Sequence, residues 1–84
     1  MKYPIYSIRD VKVGFGAPSI DINDQSRIRG FAYSVNQEGI MNFKPKDYDL
    51  YKVGEFDTDK GIIIPEKIPK LMASGVDVYE EKEW

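Results

Sequence analysis

Apolar and polar positions along this chain switch between two periods, and each switch marks an element. From Tyr3 to Phe15 aromatic and β-branched residues alternate: Tyr6 and Ile8 share one phase, and Val11, Val13 and Phe15 share the other. A period of two predicts extended chain, and the phase change at Arg9-Asp10 predicts a bulge or short break within it. Gly14, Gly16 and Pro18 then punctuate the chain, and Ser19-Ile20-Asp21-Ile22 reads as a second short strand. Ile28, Phe31, Ala32 and Val35 follow at i, i+3, i+4 and i+7, one face of an α-helix. Asn23 or Asp24 can cap it by accepting a bond from an orphan helical N–H, and Gly39 supplies a stop. A helix is therefore predicted over about residues 24–37, with a loop from 38 to 47 that includes Pro45.

The run Asp47-Tyr48-Asp49-Leu50-Tyr51-Lys52-Val53-Gly54-Glu55-Phe56-Asp57-Thr58-Asp59-Lys60-Gly61-Ile62-Ile63-Ile64 reads as two strands joined by a polar loop. Tyr48 and Leu50 point one way, Tyr51 and Val53 the other. Asp57 to Gly61 has hairpin chemistry, with Gly61 able to take a positive φ. Pro65 ends the isoleucine triplet. Glu66 to Ser74 is predicted as a short helix weakened by Pro69, and residues 76–84 as an acidic C-terminal tail that Val76, Val78 and Tyr79 could tie down in part. The fold class is α+β: a small antiparallel β-sheet of about four strands, including a β-hairpin near 48–64, with the helix at 24–37 packed on one face. Residues 1–75 make a single domain. A small OB-like or other β-barrel with one embedded helix is the alternative.

Eighty-four residues, 42% apolar and 31% charged, suit one folded domain with a modest core. So thin a core without disulfides, together with open strand edges, allows a homodimer by strand pairing. The absence of cysteine rules out thiol catalysis and cysteine metal sites; the absence of histidine removes the commonest base near neutral pH and the commonest transition-metal ligand. Paired carboxylates such as Asp47 and Asp49 sit beside lysines, as solvated surface residues do. No enzymatic activity, catalytic residue, metal or cofactor is expected. Asp57-Thr58-Asp59-Lys60-Gly61 has the start of a calcium loop, but Ile62 and Ile68 stand where an EF-hand needs Gly and Glu. Gly14-Phe15-Gly16 lacks the third glycine and the following helix of a phosphate-binding loop. No apolar run approaches the roughly 20 residues that span a bilayer. The start Met1–Ser7 has one lysine and no continuous apolar stretch, unlike a signal peptide, so the cytoplasm is expected.

The net charge of −2 is unevenly distributed. Residues 1–54 hold eight Lys/Arg and six Asp/Glu, whereas residues 55–84 hold four and eight. The basic half also carries most of the aromatic residues. Arg9, Lys12, Arg27, Arg29, Lys44, Lys46 and Lys52, interleaved with Tyr6, Phe15, Tyr48 and Tyr51, make a candidate basic surface, and those cations with Phe15 and Tyr51 are the candidate nucleic-acid-binding residues. Single strands demand this mixture, because bases stack on rings while cations neutralise phosphates. The competing reading is that the tyrosines fill the core and the cations merely solvate the surface.

Three segments carry a family resemblance: Ile20-Asp21-Ile22-Asn23-Asp24, Arg29-Gly30-Phe31-Ala32-Tyr33-Ser34-Val35-Asn36, and Asp47 to Asp57. In that order and spacing, over roughly residues 3–65, the chain resembles the small non-structural protein of gokushovirus-type microviruses, phages with circular single-stranded DNA genomes. The resemblance implies a non-enzymatic protein made in the cytoplasm of the infected bacterial host and absent from the virion. It implies DNA binding, to single-stranded DNA above all, in viral DNA replication or the switch to single-strand synthesis and packaging. The alternative is a protein-interaction module that binds a phage replication or packaging protein, or a host factor, without contacting DNA.

Overall fold

The computed structural model describes residues 1–36 and 45–79. The elements are β1 (Lys2–Asp10), β2 (Gly14–Phe15), β3 (Ser19–Ile20), α1 (Asp24–Asn36), a 3₁₀ turn (Pro45–Asp47), β4 (Tyr48–Asp57), β5 (Ile62–Ser74) and α2 (Gly75–Val78). They form one antiparallel sheet in the order β2-β1-β4-β5, with β3 also paired to β1, and α1 on one face. The α+β expectation holds. β3 pairs with β1, and no β3–β5 pairing among the described residues closes the sheet into the alternative barrel.

The alternation at the N-terminus folds as a strand and its reversal. At the predicted break, Asp10 accepts from the backbone N–H groups of Lys12 (2.9 Å, side chain) and Val13 (3.1 Å, main chain). Asp at the first position of a turn stabilises it in this way. Gly14, at φ 111°, then takes a conformation that a side chain would strain. The result is a hairpin placing Phe15 opposite Arg9, not a bulge within one strand. The irregularity in β1 lies earlier, between Ile5 and Tyr6, where Val53 of β4 is the extra residue.

Asn23 caps α1, its side-chain oxygen accepting from the Ser26 N–H at 2.8 Å. Of the predicted helical stripe, Phe31 and Val35 are buried and Ile28 packs beside them. They meet Tyr6 and Leu50, both fully buried, with Ile8, Tyr48, Met72, Ala73 and Val78 at the margin. The predicted helix end at 37, the Gly39 stop and most of the 38–47 loop lie outside the described residues.

The segment predicted as a second helix, Glu66 to Ser74, is instead the second half of β5. Pro69 within it and Pro65 just before it stop a helix, and an edge strand tolerates them because its outer N–H groups need no partner. β5 has β4 on one side only. The hairpin between them turns at Asp57–Gly61 as predicted: Gly61 sits at φ 69° and donates to the Asp57 carbonyl at 2.8 Å. The buried Asp57 carboxylate caps the turn, accepting from Asp59 N (2.9 Å) and Lys60 N (3.3 Å). Gly54 is buried where β4 and β5 come closest; a Cβ there would stand 2.6 Å from the Ile64 carbonyl oxygen. Gly75–Val78 forms a helical turn across the expected domain–tail boundary, and Asn36 Nδ2 donates to the Val78 carbonyl at 2.9 Å, tying it to α1.

Candidate nucleic-acid interface

Strand register decides which candidate residues can act together, because directly opposed residues of an antiparallel pair share a face. Phe15 opposes Arg9, and Arg9 opposes Asp49; Ser7 opposes Tyr51, and Tyr51 opposes Leu71. These two rows run side by side on the face that alternates away from Tyr6, Ile8 and Leu50, and so away from α1. Across them the Phe15 and Tyr51 rings meet edge to face, centroids 5.4 Å apart at 68°. Phe15 remains 49% exposed and Leu71 54%. An aromatic pair with an apolar neighbour and a guanidinium beside it is partly open to water, Phe15 and Leu71 more so than Tyr51 and Arg9.

Local hydrogen bonds hold this platform in place. The Ser7 hydroxyl donates to the Gly16 carbonyl at 2.8 Å, and the Gly16 N–H donates to the Ile8 carbonyl at 2.9 Å. Phe15 is therefore fixed between the Gly14 turn and a main-chain clasp. Among the described residues, no carboxylate pairs with Arg9 within 4.0 Å, although Asp49 is its cross-strand neighbour.

The other candidates do not converge there. Lys12 sits in the β1–β2 turn with its Nζ 3.7 Å from Asp47 Oδ2, and Lys46 is exposed beside it. Both border the platform, because Val11 N donates to the Asp47 carbonyl at 2.9 Å and brings the two loops together. Lys52 opposes Tyr6 and so faces the helix side of the sheet, where Lys70 is its neighbour across β5. Arg27 and Arg29 belong to α1, in the layer behind the sheet; Arg27 Nε donates to Ser19 Oγ at 3.3 Å, linking α1 to β3. Lys44 lies outside the described residues. The structure thus gathers Arg9, Phe15 and Tyr51, flanks them with Lys12 and Lys46, and sets Lys52, Arg27 and Arg29 on the other side.

Leu71 was invisible in the sequence as a platform residue, because a helical reading of 66–74 assigns it no cross-strand neighbour. The signal for it was the isoleucine triplet running into a segment whose prolines suit an edge strand.

One titratable group on the helix side is perturbed. The Tyr6 hydroxyl donates to Asp24 Oδ1 in a short hydrogen bond. Burial, then that bond and the negative charges of Asp24 and Asp21, raise its pKa well above the ordinary value. The phenol is a neutral structural donor at physiological pH.

The family profile described as phage ORF5 protein matches residues 3–78. The chain belongs to this family. No curated protein and no solved structure matches it. Phage ORF5 membership covers all the elements described above except the first residue of β1. The platform residues Arg9, Phe15, Tyr51 and Leu71 all fall inside the matched span.

Proposed function

We propose that this phage ORF5 protein is a non-enzymatic, non-structural protein of a microvirus that binds single-stranded DNA in the cytoplasm of the infected bacterium. One observation carries the reading: the edge-to-face Phe15–Tyr51 pair lies on the face of the sheet opposite α1 with Arg9 beside it. The half-exposed Phe15 ring, with the less exposed Tyr51 ring against it, offers stacking surface to any base, and a guanidinium offers charge to the adjacent phosphate. An antiparallel sheet with aromatic residues on one face also parallels the way OB-type sheets engage single strands, an analogy of architecture alone. The proposed role is to hold viral single strands during replication or the switch to packaging. The acidic balance of the whole chain makes this a local interface rather than a global electrostatic attraction.

The test is a fluorescence-anisotropy titration of the purified protein with single-stranded and duplex oligonucleotides over a range of salt. Binding that prefers single strands and weakens steeply with salt is expected. No retention of single strands at micromolar protein and low salt would overturn the reading and favour a module that docks on a replication or packaging protein without DNA.

A further inference from the structure

We infer that the outer edge of β5 is a two-fold interface with a second copy of this chain, formed by side-chain packing and not by a continuous strand ladder. Residues 62–71 are all exposed, including Ile62, Ile63, Ile64 and Ile68, the last at 78%. Between the pairs Gly54↔Pro65 and Lys52↔Lys70, the four residues Glu66–Pro69 face Val53 alone, so they bulge from the ribbon. Pro65 and Pro69 lack N–H donors, and with the bulge they deny a neighbouring strand a regular ladder. An apolar, bulged, proline-bearing edge is therefore suited to side-chain contact.

Charge selects the occupant and the register. Set antiparallel to itself about an axis between Glu66 and Lys67, the edge places each Glu66 against Lys67 of the second copy. The same axis matches Pro65 with Ile68, Ile64 with Pro69 and Ile62 with Leu71, apolar against apolar, and lays Ile63 along the aliphatic stem of Lys70. Displacing the axis by half a residue in either direction opposes Glu66 to Glu66 or Lys67 to Lys67. The self-complementary register about Glu66 and Lys67 opposes unlike charges at its centre, which makes those two residues the ones to test.

Size and layering agree. The buried cluster of Tyr6, Phe31, Val35 and Leu50 occupies the α1 end of the molecule, and among the described residues the hairpin end lacks a second layer. Short ribbons of this kind are marginal alone. An edge about 30 Å long at roughly 3.3 Å per residue, on a molecule 18 Å thick along its shortest axis, presents about 540 Å² in projection, below the roughly 800 Å² per partner of a standard stable interface and in keeping with a weak dimer.

Sedimentation velocity of the full chain at 1–200 µM (about the range where weak dimers resolve) tests this. A species of twice the 9.7 kDa protomer is expected. Glu66→Lys and Lys67→Glu, each made alone, should weaken dimerisation about tenfold by opposing like charges. Their equimolar mixture should form a heterodimer, and the double exchange should restore the homodimer. Ile68→Asp should leave a folded monomer. A wild-type monomer throughout, single reversals with unchanged dimerisation, or a mixture that fails to associate would each overturn the inference. A monomer that still bound single strands would leave the platform reading intact and assign the edge to a different protein.

Discussion

Truncating the platform rings separates stacking from charge, which charge mutations alone do not. In Phe15→Ala the lost ring is already half in water, so the structural cost is small: about 1 kcal/mol for its covered half and about 0.5–1.5 kcal/mol for the edge contact with Tyr51. The loss in binding should be larger relative to that cost. One stacked base is worth about 1–3 kcal/mol, or about 5- to 150-fold in Kd. Alanine removes no charge, so the slope of log Kd against log salt should not change. Arg9→Gln should do the reverse, lowering the slope by about 0.7 for one lost phosphate contact on a single strand and losing its effect at high salt. Tyr51→Ala should resemble Phe15→Ala, and the double variant should deviate from additivity because the rings touch. Anisotropy with a labelled oligonucleotide at several salt concentrations reads both quantities, and a urea melt confirms that each variant is folded. Folded Phe15→Ala and Tyr51→Ala proteins that bind within twofold of wild type would refute the platform. So would alanine variants whose salt slope falls as that of Arg9→Gln does.

Three stability predictions follow from the same geometry. Gly54→Ala places a methyl group 2.6 Å from the Ile64 carbonyl and 3.2 Å from Pro65 Cα; both are backbone, so the strands must shift, at about 2–3 kcal/mol, read as a lower urea midpoint with unchanged m-value. Leu50→Ala empties the centre of the core and should cost about 3–4 kcal/mol in the same assay. Because the pKa of Tyr6 is raised in the folded state, its contribution is complete below the unfolded phenol's value of about 10 and is lost as pH rises beyond it. Tyr6→Phe should cost about 1 kcal/mol at neutral pH and flatten the alkaline limb of the stability–pH curve; an unchanged limb would mean that Tyr6 is not the group responsible.

What was legible in the sequence was whatever local pattern alone decides. The helical stripe Ile28–Phe31–Val35, the Asn23 cap and the Asp57–Gly61 turn each rest on residues within a few positions of one another, and each stands as predicted. The misreadings occurred where long-range pairing overrides local propensity. Glu66–Ser74 lacks a clean period of two because it bulges around Val53, and only the ladder with β4 reveals it as a strand. The Arg9-Asp10 phase change could mark a bulge or a turn; the Gly14 φ and the Asp10 bonds decide for the turn. The candidate site was legible as a composition of cations and rings. Its division between two faces was not, because a sequence does not state register, and one step of register moves a side chain through the sheet.

The central place of β1 has a consequence for how the chain acquires its structure. β1 is made early, yet its long partner β4 follows only after α1, so Ile8 must wait for Leu50. α1 and the β4–β5 hairpin can form from neighbouring residues within microseconds, whereas closing β1 onto β4 requires a large loop to be ordered first. That closure should set the folding rate. During synthesis β1 therefore emerges with only the short β2 and β3 to pair with, its β4 edge open to other nascent chains and to proteases until Asp57 has been added.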